Sequence, residues 1–181
     1  HGVVRLDGCL STLHAAALRT HVLKQRDASV ARAALDSELG ATLLSRVLSP
    51  KDAGSEEVTR WDVRLPWDAI VRDSVLEMMG GQLGAAFSTL SGGGDAQLFE
   101  CAAIISAEGA APQIVHSDTV LSADPTLHTA FVALQDVLTH HGPTRFLKAT
   151  HHGVFASVSH DELERDDSGF CGTALSVNAK L

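Results

Sequence analysis

The sequence lacks any long uninterrupted apolar run, which excludes a membrane-spanning helix. Its longest mostly apolar stretch, residues 101–115, is broken by Glu108, Gly109 and Pro112, whereas a spanning helix needs about 20 consecutive apolar residues. Basic residues are also few, because 14 Lys and Arg against 22 Asp and Glu give a net charge of −8. We therefore expect neither nucleic acid nor an anionic membrane surface as a partner. With 181 residues, 45% of them hydrophobic, the chain is large and apolar enough to fold.

Cysteines and the common sequence motifs are scarce too. Cys9, Cys101 and Cys171 form no CxxC pair, which favours an intracellular compartment, the cytoplasm, and buried thiols. No internal repeat, Walker motif, GxGxxG motif or zinc-finger spacing occurs. The chain begins at His1 without a methionine and ends at Leu181 directly after a predicted strand. We therefore expect a fragment of a longer protein, in which an N-terminal targeting segment cannot be judged.

The hydrophobic pattern predicts helices up to residue 91. One helix follows Leu10 and is capped by Ser11 or Asp7, and a second short helical pattern leads from Val30 to Gly40. Another begins near Pro66, and a further one continues its period to Leu90. The apolar stripe predicted for the Pro66 helix comprises Ile70, Val71, Val75, Leu76 and Met79.

The pattern after residue 91 changes to short extended runs separated by turns. Strands are predicted over residues 97–106, 113–120, 128–137, 144–147 and 173–177. Helices followed by short strands are typical of the α+β class, and such a series of strands favours a sandwich or barrel. We therefore predict an N-terminal helical region over 1–91 and a β domain over 92–181.

One spacing within this β domain points to metal chemistry. His116 and Asp118 lie two residues apart, on the same face of a strand. An imidazole nitrogen and a carboxylate oxygen placed together supply two ligands of the two-histidine, one-carboxylate triad that binds Fe(II). Taken alone, the same tripeptide is also compatible with a turn capped by the aspartate.

The segments around His116 and Asp118 resemble the phytanoyl-CoA dioxygenase-like family of Fe(II)- and 2-oxoglutarate-dependent oxygenases. The resemblance is carried, in this order, by residues 94–98, 112–119 with the HxD motif, 128–137 with Ala-Leu-Gln-Asp, and 142–151 with Gly-Pro-Thr. It implies a double-stranded β-helix, or jelly roll, with the N-terminal helices packed on it. It also implies that His116 and Asp118 bind iron and that 2-oxoglutarate is the cosubstrate.

Two functional segments of the family have no counterpart in this chain. The resemblance implies a third ligand, a histidine on a strand introduced by Gly-Asp, and a later arginine that binds 2-oxoglutarate; neither segment is present here. His151, His152 and His160 are the remaining histidines that could substitute, although His151 matches a structural position and the others lie in or beside an acidic stretch. With two protein ligands, we expect this chain alone to bind iron weakly and to be inactive.

Other residues have both a pocket role and a structural alternative. Gln113 either reaches the cosubstrate or hydrogen-bonds to the backbone. Leu98 and Leu134 match family positions beside the cosubstrate, but apolar strand residues are core residues by default.

Asp118 is retained, whereas relatives that halogenate replace it with a small residue, so hydroxylation is the expected reaction.

The sequence therefore predicts a dioxygenase that acts on a small organic substrate with dioxygen, Fe(II) and 2-oxoglutarate. The alternative is a degenerate jelly-roll binding module without catalysis. Sequence beyond Leu181 would discriminate between them, because only the enzyme needs the third histidine and the arginine. The substrate itself is not identified, since specificity depends on variable loops.

Overall fold

A computed structural model describes residues 2–35, 60–91, 93, 96–107, 110, 127–138, 141, 143–146 and the backbone of 174–180. This part of the chain forms both helices and an antiparallel sheet, which confirms the α+β class. The helices are α1 (Thr12–Leu35), α2 (Ala69–Met79) and α3 (Gln82–Leu90). The strands are β1 (Arg60–Arg64), β2 (Gln97–Ser106), β3 (Leu127–Ala133) and β4 (Ala174–Lys180).

The described strands form one antiparallel sheet in the order β1-β2-β4-β3. The last strand along the chain, β4, therefore lies between β2 and β3 and pairs with both of them. Gln97 of β2 and Leu127 of β3 both pair with Lys180, and Ile104 and Ala133 both pair with Ala174. Because β2 and β3 are each antiparallel to β4, they run parallel to each other.

The helices pack against one face of this sheet, which we call the first face. Val63 of β1 pairs with Ala103 of β2, and both side chains are fully buried. Leu18 of α1 and Met78 of α2 are also fully buried in the same cluster. The cluster is completed by Val22, Val71, Val75, Leu83, Phe87, Ile105 and Leu134. Burial of these apolar side chains holds helices and sheet together.

Helix α1 is one continuous helix where the sequence predicts two shorter helical patterns. Of the two predicted caps, Ser11 is the one used: its Oγ accepts a hydrogen bond from the His14 backbone N–H at 3.3 Å. Its carbonyl accepts the first intrahelical bond from Ala15 at 2.9 Å. The predicted end at Gly40 lies outside the described residues.

Helix α2 begins at Ala69, three residues after the predicted start near Pro66, and its buried face is rotated relative to the predicted stripe. Asp68 is the N-cap, and its side chain accepts a hydrogen bond from Val71 N–H at 3.2 Å. The buried positions are Val71, Ser74, Val75 and Met78. The prediction that Ile70, Leu76 and Met79 face the core was wrong, since all three side chains are exposed. The buried face instead includes Ser74, whose hydroxyl donates a hydrogen bond to the Ile70 carbonyl at 2.8 Å. A polar residue can occupy the core face when its hydrogen bond is internal.

The strand predictions agree with the structure in part. Strand β2 has the predicted bounds. Strand β4 begins one residue after the predicted start at residue 173 and ends three residues after the predicted end at residue 177. The strand predicted for 128–137 ends at Ala133, where the chain bends, and Thr144 forms only an isolated bridge instead of the predicted strand 144–147. The predicted strand 113–120 lies outside the described residues. Strand β1 falls within the region predicted to be helical, although Arg-Trp-Asp-Val-Arg does alternate polar and apolar residues.

Helices α2 and α3 approach each other at Gly84. A Cβ atom at this position would lie 2.7 Å from the carbonyl carbon of Met79 and would overlap its oxygen. Both of these atoms belong to backbone, which cannot rotate away as a side chain can. Only glycine therefore fits the tight junction between the two helices.

We expect Gly84→Ala to lower the free energy of unfolding by about 1–3 kcal/mol, the usual cost of overpacking. The sign is opposite to that of helix propensity, which favours alanine over glycine by about 1 kcal/mol. Urea denaturation of both proteins measures the difference. Ser88→Ala is the matched control on the exposed side of the same helix, and a Gly84→Ala protein as stable as this control would contradict the steric account.

The carboxylate of Glu77 on α2 contacts residues at the start of α1. Glu77 Oε1 accepts the Ser11 backbone N–H at 2.8 Å, and its Oε2 accepts the Ser11 hydroxyl at 3.2 Å. The same Oε2 pairs with Nδ1 of His14. These contacts hold the pKa of Glu77 below its ordinary value of 4.5. The hydrogen bond with His14 contributes most to this shift, followed by the hydrogen bond from the Ser11 backbone. A helix start is thus joined to a residue more than 60 positions away in sequence.

The lowered pKa of Glu77 makes its contribution to stability depend on pH. Because the folded-state pKa lies below the unfolded one, the contribution is complete above the unfolded value and is lost as pH falls through the folded value. We expect Glu77→Gln to lower the melting temperature at pH 6–7 and to leave it unchanged at pH 2. Asp73→Asn, which alters an exposed carboxylate paired with its neighbour Arg72, is the control. A difference between wild type and Glu77→Gln that is independent of pH would contradict this role.

Candidate functional site

The residues predicted to bind iron and the cosubstrate lie largely outside the described residues. This applies to His116, Asp118 and Gln113, and also to His151, His152 and His160. His116 and Asp118 belong to the connection that leaves β2 at Ser106 and enters β3 at Leu127.

The sheet has a second face, opposite the helices, with a different composition. Because strand side chains alternate, the neighbours of the buried Val63 and Ala103 point away from the helices. Pairs on this second face join Arg60 to Ser106, Asp62 to Ile104 and Arg64 to Ala102. Along β3, Ala130 and Val132 pack on the core, which places Thr129 and Phe131 on the second face. Charged, small and hydroxyl side chains thus predominate on this face, whereas the first face is apolar.

Arg60 is the most unusual of these residues because it is a buried cation. Only 7% of its surface is exposed. Its Nε donates a hydrogen bond to the hydroxyl of Ser106 at 3.1 Å, but Nη1 is buried and has no hydrogen-bond partner in the described part of the chain. Burial lowers the pKa of Arg60, although a guanidinium stays protonated in proteins. This face therefore holds a full positive charge, and the hydrogen-bond partner of Arg60 Nε is a neutral hydroxyl.

Arg64, two residues further along β1, has a different environment. Its Nε lies 3.7 Å from Oε1 of Glu100 on β2, and its side chain is 71% exposed. An ion pair at this separation and exposure contributes little to stability. The two arginines of β1 therefore share a strand and a face, but only Arg60 is removed from water.

An aromatic pair lies at the β3 side of the second face. The rings of Phe131 and Phe146 have centroids 5.7 Å apart and are tilted by 56°, a favourable edge-to-face geometry. Phe146 follows the Gly-Pro-Thr segment in the sequence. This contact brings the end of that segment against β3 on the side away from the helices.

The two leucines predicted beside the cosubstrate are both described. Leu134 is 3% exposed and belongs to the core cluster with the helices, so its packing there is explained without a ligand. Leu98 is 43% exposed on β2 and pairs with Ala179 of β4 just before a β-bulge. The structure does not bring these two residues together on the second face.

Neither a cluster of metal-binding side chains nor a membrane-spanning helix occurs among the described residues. They contain no group of three or more His, Cys, Asp and Glu side chains arranged to hold a metal ion. Nor do they include a helix of the length and apolarity needed to cross a membrane. Comparison with protein-family models, curated proteins and solved structures finds no match to this chain. Functional inference therefore depends on the residues themselves.

Cys101 lies on the first face of β2 and is partly buried. Burial raises the pKa of its thiol to about 11, with a smaller contribution from the charge of Glu100. Only the thiolate reacts readily. The structure therefore supports the expectation of an unreactive thiol at this position.

We expect iodoacetamide to modify Cys101 at pH 8 at least tenfold more slowly in the folded chain than in guanidinium chloride, where the thiol pKa returns to about 8.5. Peptide mass spectrometry identifies the labelled residue. Glu100→Gln should increase the folded-state rate modestly, since it removes the smaller cause of the shift. Equal rates in folded and unfolded protein would show that Cys101 is not protected.

Proposed function

We propose that the full-length protein is an Fe(II)- and 2-oxoglutarate-dependent dioxygenase that hydroxylates a small organic substrate. The observation that carries the proposal is the ordered set of motifs in which His116 and Asp118 are followed by the Ala-Leu-Gln-Asp and Gly-Pro-Thr segments. Each motif is weak alone, but in combination their order resembles that of one family. We further propose that the described sheet belongs to the jelly roll of this family.

The strand directions support a jelly roll. The end of β2 lies beside Ala174 and the start of β3 lies beside Lys180, about 20 Å apart along the sheet at about 3.3 Å per residue. Strands β2 and β3 are parallel, which requires a crossover connection between them.

The next connection supports the same fold. Residues 134–173 leave and re-enter the sheet at the same end, because Ala133 pairs with Ala174. A segment of this length that starts and ends together has room to extend outwards and return. In a jelly roll, one strand of the opposite sheet separates the first and third strands, and two separate the third and sixth. The connections after β2 and β3 follow this alternation.

One pairing departs from a complete jelly roll. Strand β4 lies between β2 and β3, a place that the eighth strand of a complete jelly roll occupies. Open strand edges pair with an available strand, and β4 is the strand in the described part of the chain that reaches both edges. The proposal therefore relies on strand directions and connections rather than on the neighbour order.

The chemistry of the donor set fits Fe(II). His116 and Asp118 would supply one nitrogen and one oxygen ligand on one side of the ion. Bound iron with its cosubstrate would supply the oxidising power, which the protein would direct. The chain's own residues would hold the iron and present the substrate carbon beside it. A polar face such as the one that carries Arg60 and Ser106 can orient a substrate through hydrogen bonds.

The first test is turnover of 2-oxoglutarate. We expect His116→Ala and Asp118→Ala each to reduce Fe(II)-dependent formation of succinate at least 100-fold in the full-length protein, because each removes a metal ligand. Fe(II) affinity, measured anaerobically by calorimetry, should fall in parallel.

His128→Gln is the matched control. His128 lies on β3, and its Nε2 is 3.1 Å from the Leu90 carbonyl oxygen, a hydrogen bond that an amide can replace. This variant should retain turnover and metal affinity. Turnover that survives in His116→Ala or Asp118→Ala would refute the oxygenase. Wild-type protein that binds small molecules without Fe(II)-dependent turnover would instead identify the binding module.

A further inference from the structure

The burial of Arg60 is unfavourable unless its charge is compensated. Transfer of an isolated charge out of water is among the largest penalties in folding. The hydroxyl of Ser106 accepts one hydrogen bond from Nε but carries no charge. In the described part of the chain Nη1 has no acceptor. A hydrophobic residue of similar size would occupy this position at lower cost, so the guanidinium needs an explanation beyond packing.

The surroundings of Arg60 indicate from which side a ligand would reach it. The neighbouring position on β1, Trp61, faces the helices and packs on the core, and the Arg26 guanidinium lies 5.3 Å from the centre of the Trp61 ring. Arg60 itself points to the opposite, second face with Ser106. An approaching group would therefore come from the second face.

The charges nearby favour a singly charged group. Asp62 lies on the same strand and face as Arg60, and Glu100 lies on β2 beside Arg64. With these carboxylates and a net charge of −8, a doubly charged phosphate would be repelled more than a single carboxylate. The planar guanidinium also matches a carboxylate through two parallel hydrogen bonds.

We propose that the guanidinium of Arg60 binds a carboxylate group of a small-molecule ligand on the second face of the sheet, with Ser106 holding Nε in place. Binding of a carboxylate does not depend on iron. The identity of the ligand, substrate or 2-oxoglutarate, rests on the proposed oxygenase function.

The first experiment measures thermal unfolding of the 181-residue chain without metal, in chelator. Potassium acetate, glutarate and 2-oxoglutarate are compared with potassium chloride at equal ionic strength. A ligand that binds only the folded state raises the melting temperature, so at least one carboxylate should do so in wild type. Arg60→Met should lose this increase, which corresponds to at least tenfold weaker binding, and Arg60→Lys should retain part of it. Arg64→Met, on the same strand and face, should behave as wild type.

The same data separate a binding role from a structural one. In chloride, Arg60→Met should melt at or above the wild-type temperature, because it removes a buried charge. A lower melting temperature in Arg60→Met together with the same carboxylate response as wild type would assign Arg60 a purely structural role. An absence of any carboxylate effect on wild type would likewise overturn the proposal.

A second experiment distinguishes the two sources of the carboxylate. Calorimetry with 2-oxoglutarate on the Fe(II)-loaded full-length protein, without oxygen, compares wild type with Arg60→Met. At least tenfold weaker affinity in the variant assigns Arg60 to the cosubstrate, whereas unchanged affinity with loss of the metal-free effect assigns it to a substrate carboxylate. His116→Ala should keep the metal-free carboxylate effect, so failure of the oxygenase proposal is distinguishable from failure of this one.

Discussion

The pairing of β4 with both β2 and β3 is the constraint on which the sheet depends. Strand β1 joins the sheet through β2, and within the described residues β3 joins it through β4 alone. Because both pairings are antiparallel, they set β2 and β3 parallel to each other. That relation in turn places the end of β2 and the start of β3 at opposite ends of the sheet. The pairing of a strand late in the chain thus sets the two positions between which the segment with His116 and Asp118 connects.

The two faces of the sheet follow from the alternation of side chains along its strands. Val63 and Ala103 are buried on the first face, where the helices remove apolar surface from water. Arg60 and Ser106 occupy the second face, which also carries Asp62, Ile104 and Phe131 and therefore mixes charged with apolar side chains. Ala102 on this face is buried, so part of the face is packed, while its charged and hydroxyl groups are suited to a polar ligand. Single strand positions thus determine which side chains pack against the helices and which lie on the opposite face.

Sequence patterns predicted some elements of this structure well and others poorly. The bounds of β2 were predicted, and the cap of α1 was narrowed to Ser11 or Asp7, because these signals are local: a β-rich run, and a capping side chain before an apolar helical pattern. The predicted buried face of α2 was wrong because Val71 and Val75 fit two neighbouring stripes, and the stripe that is buried includes the polar Ser74. Strand β1 has a short alternating pattern, but the hydrogen-bond partner of Arg60 is Ser106, which is 46 residues away. No local sequence pattern predicts a contact at that separation.

The candidate site shows the same division between local and long-range information. The pairing of His116 with Asp118 is a two-residue spacing and can be found in sequence, since it needs only a strand. Arg60 has no motif, and its significance appears only when its burial and the neutral partner on β2 are known. The proposed iron ligands are therefore identified by a local motif, whereas the proposed carboxylate-binding arginine is identified by a contact between strands that are distant in sequence.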